Sequence, residues 1–191
     1  MTAPTVVPRR EQLLEAAAVL FAERGYHAVG IDDIGAAAGI SGPGVYRHFP
    51  SKQALLAALC ERALARMLDG AQGISGASGD PRTSLEALVE LHVAFAVEER
   101  ALIGVWGRAL PALSEDVRRS LRRRMRAYEQ PWQEVLGSLR DDLEPAEVAV
   151  VTGATLAMLN ATALSTTGVP RERLAGLLRT MALAALLAPR T

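Results

Sequence analysis

Residues 25 to 55 constrain this chain more than any other stretch, because they prescribe a helix, an abrupt reversal and a second short helix within thirty residues. Gly39 is the turn residue, where positive φ is tolerated. Gly35, four positions earlier, provides the small residue needed where two helices cross, and Val45, six positions later, plugs the core from the second helix of the pair. Ser41 is a natural helix cap with Pro43 just inside the start. Pro50 is expected to end that helix, and Ser51 to cap the next.

The flanks extend the pattern. From Arg9, the residues Leu13, Ala17, Leu20 and Phe21 recur at helical spacing, and Gly25 is placed to stop that helix in a left-handed conformation. Gly30 can cap a second helix whose first turn holds Asp32 and Asp33, where the helix dipole favours negative charge. Ile34, Ala37 and Ala38 are its expected buried face. A fourth helix follows Ser51 and carries Leu55, Leu56, Leu59, Ala63, Met67 and Leu68. Cys60, the single cysteine, falls on this helix and is read as a core residue.

Residues 70–82 contain four glycines and two serines and read as a mobile connection. Behind it, Thr83 or Ser84 is expected to cap a helix to about Glu99 with Leu85, Leu88, Val89, His92, Phe95 and Ala96 inward. A short helix from Ala101 to Leu110 carries Trp106. Ser114 caps a long helix to about Leu139, with a break or kink expected at Pro131. Pro145 opens a helix through Thr166, ended by Gly168, and Pro170 opens the last. The fold class is therefore all-α. A three-helix helix-turn-helix unit at 9–53 precedes a larger helical unit at 54–188, and the fourth helix, 51–69, connects them. Residues 1 to 8 are expected to be a disordered tail.

The short helix presents side chains suited to a DNA major groove. Ser41, Gly42, Pro43 and Gly44 offer little bulk, so the helix start can approach closely and its N–H groups can meet a phosphate. Tyr46 can reach a phosphate or a thymine methyl, and Arg47 a guanine edge or a phosphate. His48 and Lys52 can donate to phosphates. Net charge is zero, with 21 basic and 21 acidic residues, so any attraction to nucleic acid is local. Lys52 is the only lysine.

Residues 9–60 resemble the N-terminal domain of the TetR family of transcriptional regulators, over about a quarter of the chain. The resemblance rests on Asp33-Ile34-Gly35-Ala36-Ala37-Ala38-Gly39-Ile40-Ser41 and Tyr46-Arg47-His48-Phe49-Pro50-Ser51-Lys52. Two positions depart from the family pattern. Val29 and Gly30 stand where threonines often cap the second helix and touch phosphate, so a backbone contact would have to substitute. Gly35 stands where the family usually has alanine. The resemblance implies a sequence-specific DNA-binding regulator, a ligand-responsive repressor acting as a homodimer on a palindromic operator. Its C-terminal unit would be an effector-binding and dimerisation domain, and the effector would act by moving the fourth helix. The alternative is a helical small-molecule binding protein with a vestigial helix-turn-helix, separated from the first reading by sequence-selective DNA binding.

The last two helices fit a dimer interface, through Val148, Val151, Thr155, Leu159 and Thr162, then Leu174, Leu177, Leu178, Met181 and Ala185. His92, Phe95, Trp106, Met125, Tyr128, Trp132, Met158 and Asn160 mix apolar bulk with isolated polar groups, as an effector pocket requires. His92 also reads as a hydrogen-bonded core histidine, and Asn160 as a ligand contact, an interface pair or a packed amide. Arg118 to Arg126 reads as a solvated face, with anionic-ligand binding as the sharper alternative. No enzyme is expected: Cys60 lacks a paired histidine, the three histidines are scattered, and no phosphate-binding glycine loop follows a strand. No metal spacing and no cofactor is implied. The single cysteine fits a reducing, cytoplasmic setting. Pro4 and Pro8 interrupt any leader pattern, and no apolar run reaches the ~20 residues of a membrane span.

Overall fold

A computed structural model describes residues 7–77, 79–161 and 168–189, which are helical with no strand among them. The elements are α1 (Arg9–Arg24), α2 (Ile31–Ala37), α3 (Gly42–Val45), α4 (Lys52–Ala77), α5 (Pro81–Glu98), α6 (Arg100–Ala109), α7 (Glu115–Leu139), α8 (Pro145–Ala161) and α9 (Arg171–Leu187), with a 3₁₀ turn at Leu110–Ala112. Helices α1–α3 and the start of α4 form the helix-turn-helix unit. The remainder form a helical bundle in which α4 lies on α5 and α7, α8 lies on α7, and α9 lies on α5 and α8. Of the expected N-terminal tail, residues 1–6 lie outside the described residues, as do Thr162 and the last part of the helix expected to reach Thr166.

The turn geometry follows the expectation. Gly39 has φ of 70° and Gly25 of 81°, both positive. Gly25 is extended at ψ of 152°, so the chain leaves α1 without a further left-handed turn. At Gly35, an added Cβ would lie 2.8 Å from the Ile40 carbonyl oxygen and 3.2 Å from the Ser41 carbonyl carbon. Here the missing side chain lets α2 meet the backbone leading into α3. Ile34 and Gly35 form the buried face of α2, whereas Ala37, expected inside, is exposed.

Several helix ends differ from their sequence reading. Regular α3 stops at Val45; Tyr46 to His48 form a tighter turn in which the Val45 carbonyl accepts from both His48 N–H and Phe49 N–H. The glycine-rich stretch does not begin a linker at residue 70, because α4 continues through it to Ala77. Tertiary contact overrides composition there. Ala71 is fully buried, and Gly70 lies against Leu91 so closely that a Cβ would come within 2.9 Å of it. Asp80, not Thr83 or Ser84, caps α5, its carboxylate accepting from the Thr83 N–H at 2.9 Å. Helix α7 runs unbroken through Pro131, which is buried beside Tyr128 and Trp132.

The apolar stripes of α8 and α9 divide. Val148, Thr155 and Leu159, with Leu174 and Leu178, are buried against their own chain. What stays outside is a narrower face: Val150 at 69% exposure on α8, and Leu177 and Met181 at 49% each on α9. Exposed Ala154 and Ala157 continue the first face, Ala184 and Ala185 the second.

Two apolar clusters result. One joins α1–α3 and the first half of α4 to Leu102, Val105 and Ala109 of α6 and to Leu121 of α7. The other joins α5, α8 and α9 to Met67 and Ala71 of α4 and to Tyr128, Trp132 and Leu136 of α7. Cys60 is in the first, its thiol pushed up to about 12 by burial. A Gly35→Val substitution would force α2 away from the Ile40–Ser41 backbone, costing about 2 kcal/mol. The expected result is a fall in thermal midpoint of roughly 4–8 °C by calorimetry.

Candidate nucleic-acid interface and ligand cavity

The exposed end of the helix-turn-helix brings the predicted residues together. Ser41, Pro43, Tyr46, Arg47 and His48 are exposed on α3 and the turn after it, and Tyr46 leaves 54% of its surface to solvent. Val45 and Phe49 face the core, 0% and 2% exposed. A groove runs between Arg9, Ile40, Ser41, Pro43, Gly44, Arg47 and His48. Gly42 is buried, and its lack of a side chain makes room for the carboxylate of Asp32 rather than for an outside partner.

Lys52 is more committed than its sequence position suggests. Its ammonium donates to the Tyr26 carbonyl at 2.9 Å and the Val29 carbonyl at 2.8 Å, and lies 4.4 Å from the centre of the Tyr26 ring. These contacts tie the α1–α2 loop to the start of α4. Gly30 is likewise engaged: its N–H donates to Asp33 at 2.7 Å, so the backbone contact expected to replace a threonine hydroxyl is spent inside the chain.

Two arginines join this face without having been singled out from the sequence. Arg9 donates to the Ala38 carbonyl at 2.8 Å, at the end of α2, and Arg10 lies 4.9 Å from the centre of the Phe49 ring. The available signal was a pair of cations at the first turn of a helix, where the dipole disfavours them.

The second site is a cavity of about 70 Å³ between α4, α5, α6, α7 and α8. Six predicted residues line it: His92, Phe95, Trp106, Met125, Tyr128 and Asn160. Trp132 lies behind them, fully buried and edge-on to His92 with ring centres 6.0 Å apart. Met158 packs into the second apolar cluster and does not reach the cavity wall. Ala63, Leu64 and Met67 of α4 and Leu102 and Ile103 of α6 complete the lining. Sequence reading missed them because small and aliphatic residues on a helix look alike whether they face a core or a hole.

The polar part of the wall is one chain of hydrogen bonds. His92 Nδ1 is 2.9 Å from the Tyr128 hydroxyl and Nε2 is 3.2 Å from Asn160 Oδ1. Asn160 Oδ1 can only accept, so Nε2 carries the ring proton and Tyr128 donates to Nδ1. Burial pushes the His92 pKa down to about 4, with the Asn160 bond opposing the shift, and the ring is neutral near pH 7. The same burial raises the Tyr128 phenol.

The Arg118–Arg126 run is partly self-satisfied. Glu115 accepts from Arg118 at 2.6 Å and from Arg122 at 2.6 Å, and Arg118 also donates to the Leu113 carbonyl at 2.8 Å. None of these arginines lines the cavity.

An all-α chain that pairs a helix-turn-helix with a cavity-bearing helical bundle defines a class of DNA-binding regulators. Residues 13–59 match the family model described as bacterial regulatory proteins, tetR family, and residues 78–164 match a tetracyclin repressor-like C-terminal domain. The HTH-type transcriptional repressor DhaR of Mycobacterium sp. (strain GP1) is 30% identical over 148 residues, covering 72% of this chain and 73% of DhaR. The HTH-type transcriptional activator FasR of Mycolicibacterium smegmatis is 41% identical over 87 residues, 46% of this chain and only 40% of FasR, so that likeness spans well under half of the relative. The solved structure of the ketosteroid transcriptional regulator KstR2 of Mycobacterium tuberculosis superposes with a TM-score of 0.78 at 25% identity, covering 98% of this chain and 97% of that one. The chain belongs to the TetR family of bacterial transcriptional regulators, whose members bind DNA. No helix among the described residues is long and apolar enough to cross a membrane.

The depressed His92 pKa links stability to pH. Between about 4 and 6.5 the unfolded chain takes up a proton at His92 that the folded chain refuses. Its contribution is present in full above 6.5 and falls as pH drops towards 4, by up to roughly 3 kcal/mol. Denaturant unfolding at pH 7.5 and pH 5 is expected to show this loss in the parent chain and a smaller one in His92→Gln.

Proposed function

We propose that this chain is a ligand-responsive transcriptional repressor that binds a palindromic operator as a homodimer. The DNA-reading unit is 9–53 and the effector and dimerisation unit 54–188, with α4 shared between them. One observation carries the reading: α4 and α6 each contribute both to the cavity wall and to the apolar cluster that holds α3. An effector that changes the cavity's shape therefore acts on helices already packed against the recognition unit.

Ser41, Pro43, Gly44, Tyr46, Arg47 and His48 form the DNA contact surface, with Arg47 as the base-reading candidate. Gly42 serves the turn by admitting Asp32. Lys52 acts first by fixing the α1–α2 loop, and its remaining donor serves a phosphate. The exposed faces of α8 and α9 support the dimer, since Val150, Leu177 and Met181 leave apolar surface that a two-fold partner would cover. DhaR is named a repressor and FasR an activator, so the direction of control is a matter for in vitro transcription on the selected operator.

Selection from a random duplex pool by the purified protein is expected to enrich a palindrome with half-sites about 34–36 Å apart. No enrichment from a folded dimer would favour the small-molecule binding reading. Arg47→Ala is expected to lose about 10- to 100-fold affinity and relax preference at one position per half-site; uniform weakening would make Arg47 a phosphate contact. The double substitution Leu177→Glu, Met181→Glu is expected to sediment as a folded monomer, and a retained dimer would place the interface elsewhere.

A further inference from the structure

The cavity wall carries no charged side chain among the described residues. Eight of its eleven lining residues are apolar, and the other three, His92, Tyr128 and Asn160, are bonded to one another. The direction of that chain matters. Tyr128 donates to His92, and His92 donates to Asn160 Oδ1, which leaves the Asn160 amide nitrogen with no partner among the described residues. Its two N–H groups are the donors the cluster still has to give. Each bond upstream polarises the amide and strengthens it as a donor.

We infer that the part of the effector buried in this cavity is uncharged and largely hydrocarbon, and carries one acceptor oxygen, a ketone or hydroxyl, that takes the Asn160 amide N–H. A carboxylate or phosphate buried there would lose its hydration and meet no cation. His92 cannot supply one, because burial keeps the ring neutral.

Size makes the same site a switch. The cavity of about 70 Å³ is roughly half the ~150 Å³ apolar cavity that holds benzene. A ligand of eight carbons enters only if the wall moves. Met67 and Met125 are unbranched and can change rotamer. Leu102, Ile103 and Trp106 are carried on α6, a helix of 10 residues bounded by the Glu99 break and the 3₁₀ turn at Leu110–Ala112. The neutral ligand therefore displaces α6, and through it the cluster holding α3. Only this consequence for DNA rests on the repressor reading; the ligand class stands on the cavity itself.

The test uses four probes sharing one hydrocarbon body: octane, 1-octanol, 2-octanone and octanoate. Calorimetric titration of the full chain, without DNA, reads binding. Anisotropy of a labelled selected operator reads release. We expect 2-octanone and 1-octanol to bind, octanoate to bind at least about tenfold more weakly, and Asn160→Ala to weaken 2-octanone about five- to tenfold while leaving octane unchanged. Tyr128→Phe, a milder change, is expected to lower 2-octanone affinity in the same direction and guards against a misfolded Asn160→Ala. Octanoate binding as well as the ketone, an unchanged ketone affinity in both variants, or no binding by any neutral probe up to its solubility would each overturn the inferred class. Ketone binding that leaves the operator complex intact would uphold the class and sink the repressor linkage.

Discussion

Phe95 and Met125 pack against both apolar clusters, and the cavity opens where those clusters meet. Protein interiors pack at near-crystalline density, and the cavity interrupts that packing at this seam. Helix α6 lies on it: Leu102, Val105 and Ala109 enter the cluster with α1, while Leu102, Ile103 and Trp106 border the hole. Dense packing transmits displacement and a void absorbs it, so in the proposed switch a ligand too large for the void would push α6 against α1. Helix α2 packs on α1 and α3 packs on α2, while α1 in turn packs on α6 and on α4, whose Ala63 and Leu64 border the cavity.

Polar ties set the register of the two units without supplying much of their cohesion. Gln53 donates to the Ala112 carbonyl at 3.0 Å, Arg62 meets Glu11 at 2.7 Å, and Arg66 meets Glu99 at 2.9 Å. Such partly exposed pairs contribute up to about 1 kcal/mol each, far below the apolar burial beside them. Their placement is more telling than their strength. Glu99 is the junction between α5 and α6, and Ala112 ends the 3₁₀ turn after α6, so both ends of α6 are tethered to α4 by single bonds at the rim while its middle rests on apolar surface.

The helix-turn-helix was legible because its geometry demands particular residues. Gly39 must take positive φ, Gly35 must be small, and Ser51 must cap, with the Ala54 N–H 3.0 Å from its hydroxyl. Local chemistry decides each of these, and the sequence displays local chemistry. Six cavity-lining residues were also among the predicted set, because aromatic and isolated polar side chains on apolar faces stand out, although His92 and Asn160 read equally as packed, hydrogen-bonded groups. What stayed hidden depends on partners far along the chain. Gly70 and Gly73 promote a loop by composition, yet α4 runs through both, with Leu91 packed against Gly70. Val148, Thr155, Leu174 and Leu178 resemble interface residues until α5 and α7 are laid across them. Lys52 is a surface cation by type, and only the folded loop brings the Tyr26 and Val29 carbonyls within its reach.

Charge distribution bears on why a paired architecture suits this chain. With 21 charges of each sign, no broad positive field draws it to DNA, and Glu11 and Glu115 pair with arginines of their own chain, Arg62 and Arg118. Only a few cations remain on the α3 face, and Lys52 has most of its donors engaged. Phosphate contacts set non-specific affinity and its salt dependence, so one such unit alone would bind weakly. In the proposed dimer, two units joined through α8 and α9 would bind as one, the second at a high effective concentration, provided their spacing matches the operator. Weak single-unit binding makes that proviso strict. A strongly basic domain would hold DNA even out of register, whereas a nearly neutral one releases it once the spacing is lost. The neutrality that confines attraction for DNA to a local face is thus what, in the proposed repressor, would let a displacement of α6 within each subunit decide occupancy.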